Sequence, residues 1–280
     1  MRDCVIASAD QAPINVRKRM RYVKGMVLGP AEFGQDQAHF EWKHRISNEL
    51  LHGYGTVCGL QVTSRATEDG GDREIVIGAG YAISPRGNWI WVDPEQCALL
   101  GEWVAAHREE REDFVVPGNN SVYVALCYDE CPTDLTHIAA RACASEDETR
   151  AHSRITEMFR AEFRWEPPPQ EAEEAARAFG ALLRAVEIAV GTDDDDSEAF
   201  LEAVRAIGLD DSGATPDVFN LPEASACEVI RTALLIWATE ICPRFHLEAE
   251  QDCILLAQLH FDVDDAGAID FDTLMIDEGA

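Results

Sequence analysis

Lysine is almost absent from this chain: of 23 basic residues, 20 are arginine and three are lysine. Basic residues of either kind are outnumbered by 52 acidic ones, leaving a formal charge of −29 at pH 7. That surplus argues against unaided binding to nucleic acid or an anionic membrane, since both are polyanions. Long apolar runs are missing too. Runs such as Ala233 to Ala238 are far short of the roughly 20 residues that span a bilayer. Met1-Arg2-Asp3-Cys4 is followed by no apolar stretch of the kind a secretory signal needs. The expectation is a soluble, cytoplasmic chain with no membrane insertion.

Catalytic signatures are equally scarce. There is no Gly-x-Ser-x-Gly elbow, no Gly-x-x-x-x-Gly-Lys-Ser/Thr phosphate loop and no His-Glu-x-x-His. Gly53-x-Gly55 and Gly59 precede a strand rather than join strand to helix, which excludes a dinucleotide fingerprint. Among 52 carboxylates, any pair chosen as acid and base carries no information. His39, His44 and His52 lie around one predicted helix, and the step from His39 to His44 turns them onto different faces. Cys58 near His52 is the one thiol and imidazole pairing that nucleophilic chemistry could use. The reading is a non-enzyme.

What is present is enough apolar material for a sizeable core: 46% of 280 residues, the length of one or two domains. The nine cysteines are odd in number and scattered. They lack the tight framework of secreted disulfide domains and read mostly as buried free thiols.

Five basic residues, Arg17, Lys18, Arg19, Arg21 and Lys24, fall within eight positions. They form either a docking patch or, as is commoner for exposed charges, ion pairs with the chain's own carboxylates. Pro30 suits the first turn of a helix over Ala31 to Leu51, closed by Gly53. Its Phe33, Phe40, Trp42, Ile46, Leu50 and Leu51 form no single stripe, which predicts a helix clamped between two surfaces.

Short apolar pieces follow at Gly59 to Thr63, Glu74 to Ile77, Tyr81 to Ile83 and Asn88 to Val92. With turn chemistry at Gly70-Gly71-Asp72 and Pro85-Arg86-Gly87-Asn88, they read as antiparallel hairpins. Ser121 to Tyr128 reads as a buried strand, and Met158 to Trp165 alternates as a strand with one wet face.

Pro167-Pro168-Pro169 ends this body. Glu171 to Val190, Ser197 to Ile207 and Ala224 to Ile241 then show helical spacing, with Gly208 and Pro243 as stops. Asp193 to Asp196 lacks the spaced ligands of a calcium loop and reads as a cap for the helix after it. Strands return at Cys253 to Phe261, Ile269 to Phe271 and Leu274 to Ile276. The fold class expected is α+β: an N-terminal helix and an antiparallel β-sandwich-like body with an inserted small helical bundle. The divisions expected are an N-terminal segment 1–20, a helix plus β-rich body 21–166, a helical insertion 167–245 and C-terminal strands 246–280.

No cofactor is read, with structural zinc the one candidate. Cys127-x-x-x-Cys131 followed by Cys143, with His137 or His152, offers the soft donors of a tetrahedral site. The paired Cys-x-x-Cys turns of zinc knuckles are missing, and Cys127 lies in an apolar strand where a core thiol is the ordinary outcome.

Tyr22-Val-Lys-Gly-Met-Val-Leu-Gly-Pro-Ala-Glu-Phe-Gly-Gln-Asp-Gln37 and Asn48-Glu-Leu-Leu-His-Gly-Tyr-Gly-Thr-Val-Cys-Gly-Leu60 resemble the start of a family of phage-tail-like proteins of contractile injection systems. More distantly they resemble the amino-terminal shell module of the type VI secretion baseplate subunit TssK, with its Gly-Met-x-Leu-x-Pro-x-x-Phe entry, helix and Gly-Leu strand. Gly80-Tyr-Ala-Ile-Ser-Pro-Arg-Gly-Asn-Trp-Ile-Trp-Val92, Tyr128-Asp-Glu-Cys-Pro-Thr-Asp134, Ser153-Arg-Ile-Thr-Glu157 and Cys253-Ile-Leu-Leu-Ala257 extend the resemblance. It implies an adaptor at a baseplate or fibre end. Gly25, Met26, Leu28, Pro30, Gly53, Gly55 and Gly59 would pack and turn the entry, and no catalytic residue is implied. The partners expected are other subunits of a tail-like particle in a homo-oligomer or other symmetric assembly, met through the Arg17 to Lys24 cluster and the helix with Phe33, Phe40 and Trp42. The alternative is a zinc-stabilised binding module or metalloenzyme on Cys127, Cys131, Cys143 and His137.

Overall fold

A computed structural model describes residues 13–68, 70–138, 149–190, 195–209, 218–245 and 252–278. The fold is α+β. The chain divides into two compact units: Met1–Pro168 with Gln251–Ala280, and Pro169–Glu250.

The first unit opens with α1 (Pro30–His52), where Pro30 is the first helical residue and Gly53 turns the chain away. Strands β1 (Gly55–Gly59), β2 (Val62–Ala66), β3 (Arg73–Ile77), β4 (Gly80–Ile83), β5 (Trp89–Val92) and β6 (Gln96–Leu99) follow. They form two antiparallel three-stranded sheets, ordered β1-β4-β5 and β2-β3-β6. The stretch Gly59 to Thr63 is therefore not one strand. Gly59 and Leu60 both adopt left-handed backbone, at φ 70° and 60°, and turn the chain from one sheet into the other. The corner is tight: a Cβ at Gly59 would lie 2.2 Å from the Ala79 carbonyl oxygen, so glycine is required there. After β6 comes α2 (Leu100–His107), a helix not expected from the sequence pattern.

The larger sheet contains β7 (Gly118–His137), β8 (Arg150–Arg164), β11 (Cys253–Val263) and β12 (Ile269–Asp277) in the antiparallel order β12-β11-β7-β8. Leu60, Ile90, Val92, Val122, Leu126, Leu259 and Phe261 lie in its unit's core. β8 and β11 both run against β7 and so run parallel to each other. Joining them requires a crossover rather than a hairpin, and the second unit occupies that connection. β7 and β8 are far longer than the apolar runs suggest. Beyond Tyr128, whose N–H donates to the Asp252 carbonyl, the pairs from Asp129↔Met158 to His137↔Arg150 continue as a ribbon. Among the described residues no third strand pairs with it, which suits the Pro132 it contains.

In the second unit α3 (Glu171–Arg184) stops short of Val190, because Val186 begins β9 (Val186–Ala189). That strand pairs in parallel with β10 (Phe219–Pro222), a partner too distant in sequence for periodicity to reveal. Between them lies α4 (Ser197–Ala206). The Asp195 carboxylate accepts the Ser197 N–H in an Asx turn, but the N-cap residue Asp196 makes no side-chain capping bond to the helix and accepts the Asn220 N–H instead, while Asp193 and Asp194 lie outside the described residues. α5 (Ala226–Ile236) passes through a π-helical turn, Trp237–Ile241, into α6 (Cys242–Phe245). Pro243 thus does not end the helix. The π-helical turn lies just before it, the kind of local ladder change found where the i→i−4 pattern is interrupted. Phe200 and Phe219, both fully buried, meet edge to face at 5.4 Å, and Phe179 stacks on Trp237 at 4.8 Å.

Candidate interaction surface

The segment before α1 is strapped along the helix by polar contacts. Gln35 is the main clasp: its Oε1 accepts the Asn15 N–H at 2.9 Å, and its Nε2 donates to the Asn15 and Lys18 carbonyls. Asp36 accepts the Met20 N–H at 3.3 Å and the Tyr22 hydroxyl at 2.8 Å, and that second bond pushes the Tyr22 phenol up. One turn on, His39 Nδ1 lies 2.7 Å from the Val16 carbonyl oxygen. Gln35, Asp36 and His39 share a helix face, so the segment follows one side of α1.

The opposite attachment is small. Asn48, the one buried residue of α1, donates from Nδ2 to the Gly87 carbonyl at 2.8 Å, and Arg45 pairs with Glu130 at 3.2 Å. The β4–β5 turn approaches so closely that a Cβ at Gly87, where φ is +76°, would lie 2.1 Å from the Arg45 carbonyl oxygen.

The helix is consequently not clamped between two apolar surfaces, contrary to what its scattered aromatics suggest. Phe33 and Phe40 are each 58% exposed and Leu51 77% exposed. Their spacings of seven and eleven residues place all three on one stripe. Trp42 is half-buried, with its ring 6.4 Å from that of His39. His44 is exposed.

Arg17, Lys18, Arg19, Arg21 and Lys24 are all exposed, and none makes an ion pair among the described residues. The commoner expectation, that the chain's own carboxylates neutralise them, does not describe these residues. Gly25 forms a turn closed by the Met26 N–H on the Val23 carbonyl, with Met26 half-buried and Leu28 40% exposed. Gly53, Gly55 and Gly59 all have positive φ.

The metal candidates are not brought together. Cys127, Cys131 and His137 follow one another along the extended β7, opposite Arg160, Thr156 and Arg150 of β8. Ten residues of strand separate the outer two, about 30 Å. Cys143 lies outside the described residues, and His152 pairs with Leu135 on the arm. Cys127 is instead disulfide-bonded to Cys253, its register partner on β11. Their sequence separation of 126 residues explains why no framework was visible. Cys58, Cys97 and Cys227 are exposed and Cys131 and Cys242 half-buried, so buried thiols are not the rule either. No hydrogen bond joins Cys58 to His52 among the described residues.

Glu162 lies beside the disulfide, within 4.8 Å of both sulfurs. Arg164 pairs with Glu162 and directs Nη2 at the sulfurs, 3.3 Å from Cys253 and 3.6 Å from Cys127. A guanidinium in that place already supplies the positive charge that a cation would bring. The cluster opens on a mixed-charge cleft of about 1130 Å³.

No helix among the described residues is long and apolar enough to cross a membrane. Compared with known proteins, the chain matches no family model and no curated protein.

Proposed function

We propose that this protein is a non-enzymatic structural component of a phage-tail-like contractile injection particle, an adaptor at the baseplate or fibre end. The observation that carries the reading is the state of the segment bearing the resemblance. Residues 17–52 present five exposed cations with no ion-pair partner among the described residues, and an exposed Phe33, Phe40 and Leu51 stripe on a helix that buries a single side chain. Large apolar residues aligned on one exposed stripe mark an interface, and the cations fix its chemistry: the partner surface is acidic around an apolar centre. A chain of net charge −29 supplies such a surface itself, which supports a symmetric assembly of copies.

The test is to fractionate a lysate of the source organism on a density gradient and examine the fast fractions by electron microscopy. Co-sedimentation with sheathed, tail-shaped particles is expected. Reversing charge at Arg17, Lys18, Arg19 and Arg21 should then move the chain to the top of the gradient. A wild-type chain that stays at the top while particles sediment without it overturns the reading.

A further inference from the structure

A second surface, independent of the assembly reading, has the composition of a ligand site. The alternation Trp89-Ile90-Trp91-Val92 sends Ile90 and Val92 into the core and both indoles outward. Across the ladder Tyr81 is the register partner of Trp91, and their rings stack with centroids 6.0 Å apart and planes 12° from parallel. With Met158 and Glu157 of β8, these three rings line a pocket of about 450 Å³, within the range of small-molecule sites. The rings are 40–60% exposed, an unusual degree for two tryptophans and a tyrosine gathered at one place.

The lining defines what fits. It contains three aromatic rings, one thioether and one carboxylate, and no lysine, arginine or histidine. Ring faces carry negative quadrupole potential and attract cations. Glu157 adds a full negative charge that has no ion-pair partner among the described residues, whereas Glu130 opposite it is already paired with Arg45. The net charge of −29 extends the same preference outward. A primary ammonium or a guanidinium brings three to five N–H donors that each need an acceptor, and this lining offers mainly one carboxylate. A sugar needs a still denser set of polar partners. A quaternary ammonium carries a positive charge and no N–H at all.

We propose that the Tyr81, Trp89, Trp91, Met158 and Glu157 pocket binds a small quaternary ammonium monocation of the choline type. Its trimethylammonium head sits against the rings and its charge faces Glu157.

The experiment is titration of the full chain with choline, followed by tryptophan fluorescence and by calorimetry. Saturable binding is expected. Its uncharged isostere 3,3-dimethylbutan-1-ol should bind about tenfold more weakly, since it keeps the shape and loses the cation–π attraction. Phosphocholine should also bind more weakly than choline, because its phosphate meets Glu157. Trp91→Ala should weaken choline binding by about tenfold or more, and Glu157→Gln by several-fold, while Trp91→Phe, which keeps a ring, retains most of it. The retained binding of Trp91→Phe separates loss of the cage from loss of the fold. Equal binding of the uncharged isostere, tighter binding of phosphocholine, undiminished binding by Trp91→Ala, or no saturable choline binding at all overturns the proposal.

Discussion

Helices α1 and α5 use their residues in opposite ways. Over 11 residues α5 buries Ala226, Val229, Ala233 and Ile236, whose steps of three and four set them on one stripe facing the core of their unit. Over 23 residues α1 buries Asn48 alone. Packing of an apolar face therefore explains α5, as it does most helices in proteins. In α1 the local devices are Pro30 at the first turn, Glu32 accepting the Gly29 N–H at 2.8 Å, and the polar strap on Gln35, Asp36 and His39. A helix kept in shape by polar contacts leaves its apolar stripe available, and that is the physical content of calling it an interface.

The widest way to break this comparison is to truncate one aromatic from each region. Phe261→Ala, at a fully buried site, should cost about 3–5 kcal/mol. Phe40→Ala should change the stability of the free chain by no more than about 0.5 kcal/mol while impairing assembly. Chemical denaturation of both variants checks the pair.

Replacing Cys127 and Cys253 together by alanine should destabilise the first unit by about 2–5 kcal/mol, because the bond closes a long loop in the unfolded chain. Denaturant midpoints with and without a reductant report it. Asn48→Ala removes the buried side-chain attachment of α1 and should cost about 1–2 kcal/mol. Faster hydrogen exchange confined to α1 would show that the helix is held there.

The smallest effect is alkaline. Burial, with the hydrogen bond its hydroxyl donates to Glu130 at 3.0 Å, pushes the Tyr128 phenol up. The folded chain then keeps a proton that the unfolded chain loses above about pH 10. This contribution to stability is complete below that pH and is lost as pH rises through the folded-state value. Tyr128→Phe should flatten that slope in a pH series of thermal melts.

Much of the fold was legible because it rests on local chemistry. Pro30 and Gly53 bracket α1 to within a residue, and the alternation in Trp89 to Val92 gives the inward face of β5 directly. Several of the differences are matters of long-range pairing. β9 reads as helix until Phe219 to Pro222 arrive beside it, and the arm of β7 and β8 carries no strand signal because it contains polar groups and Pro132 rather than an apolar run. The disulfide joins cysteines on either side of an inserted unit, so spacing carries no trace of it.

At the candidate interface the residues themselves were legible, and their exposure was not. Phe33 and Phe40 look alike in sequence whether they fill a core or face water, and their relation to the strap depends on where Gln35 and Asp36 find partners. In the aromatic pocket Trp89 and Trp91 were visible as part of a motif. Their meeting with Met158 and Glu157 required β5 and β8 to be placed side by side.

Hydrogen exchange over residues 17–52, measured in the free chain and in the particle-bearing gradient fraction, tests the interface most directly. The expected result is fast exchange around Phe33 and Phe40 in the free chain and at least about tenfold slower exchange in the assembly. Identical exchange in the two states, with protection gained elsewhere on the chain, would contradict it.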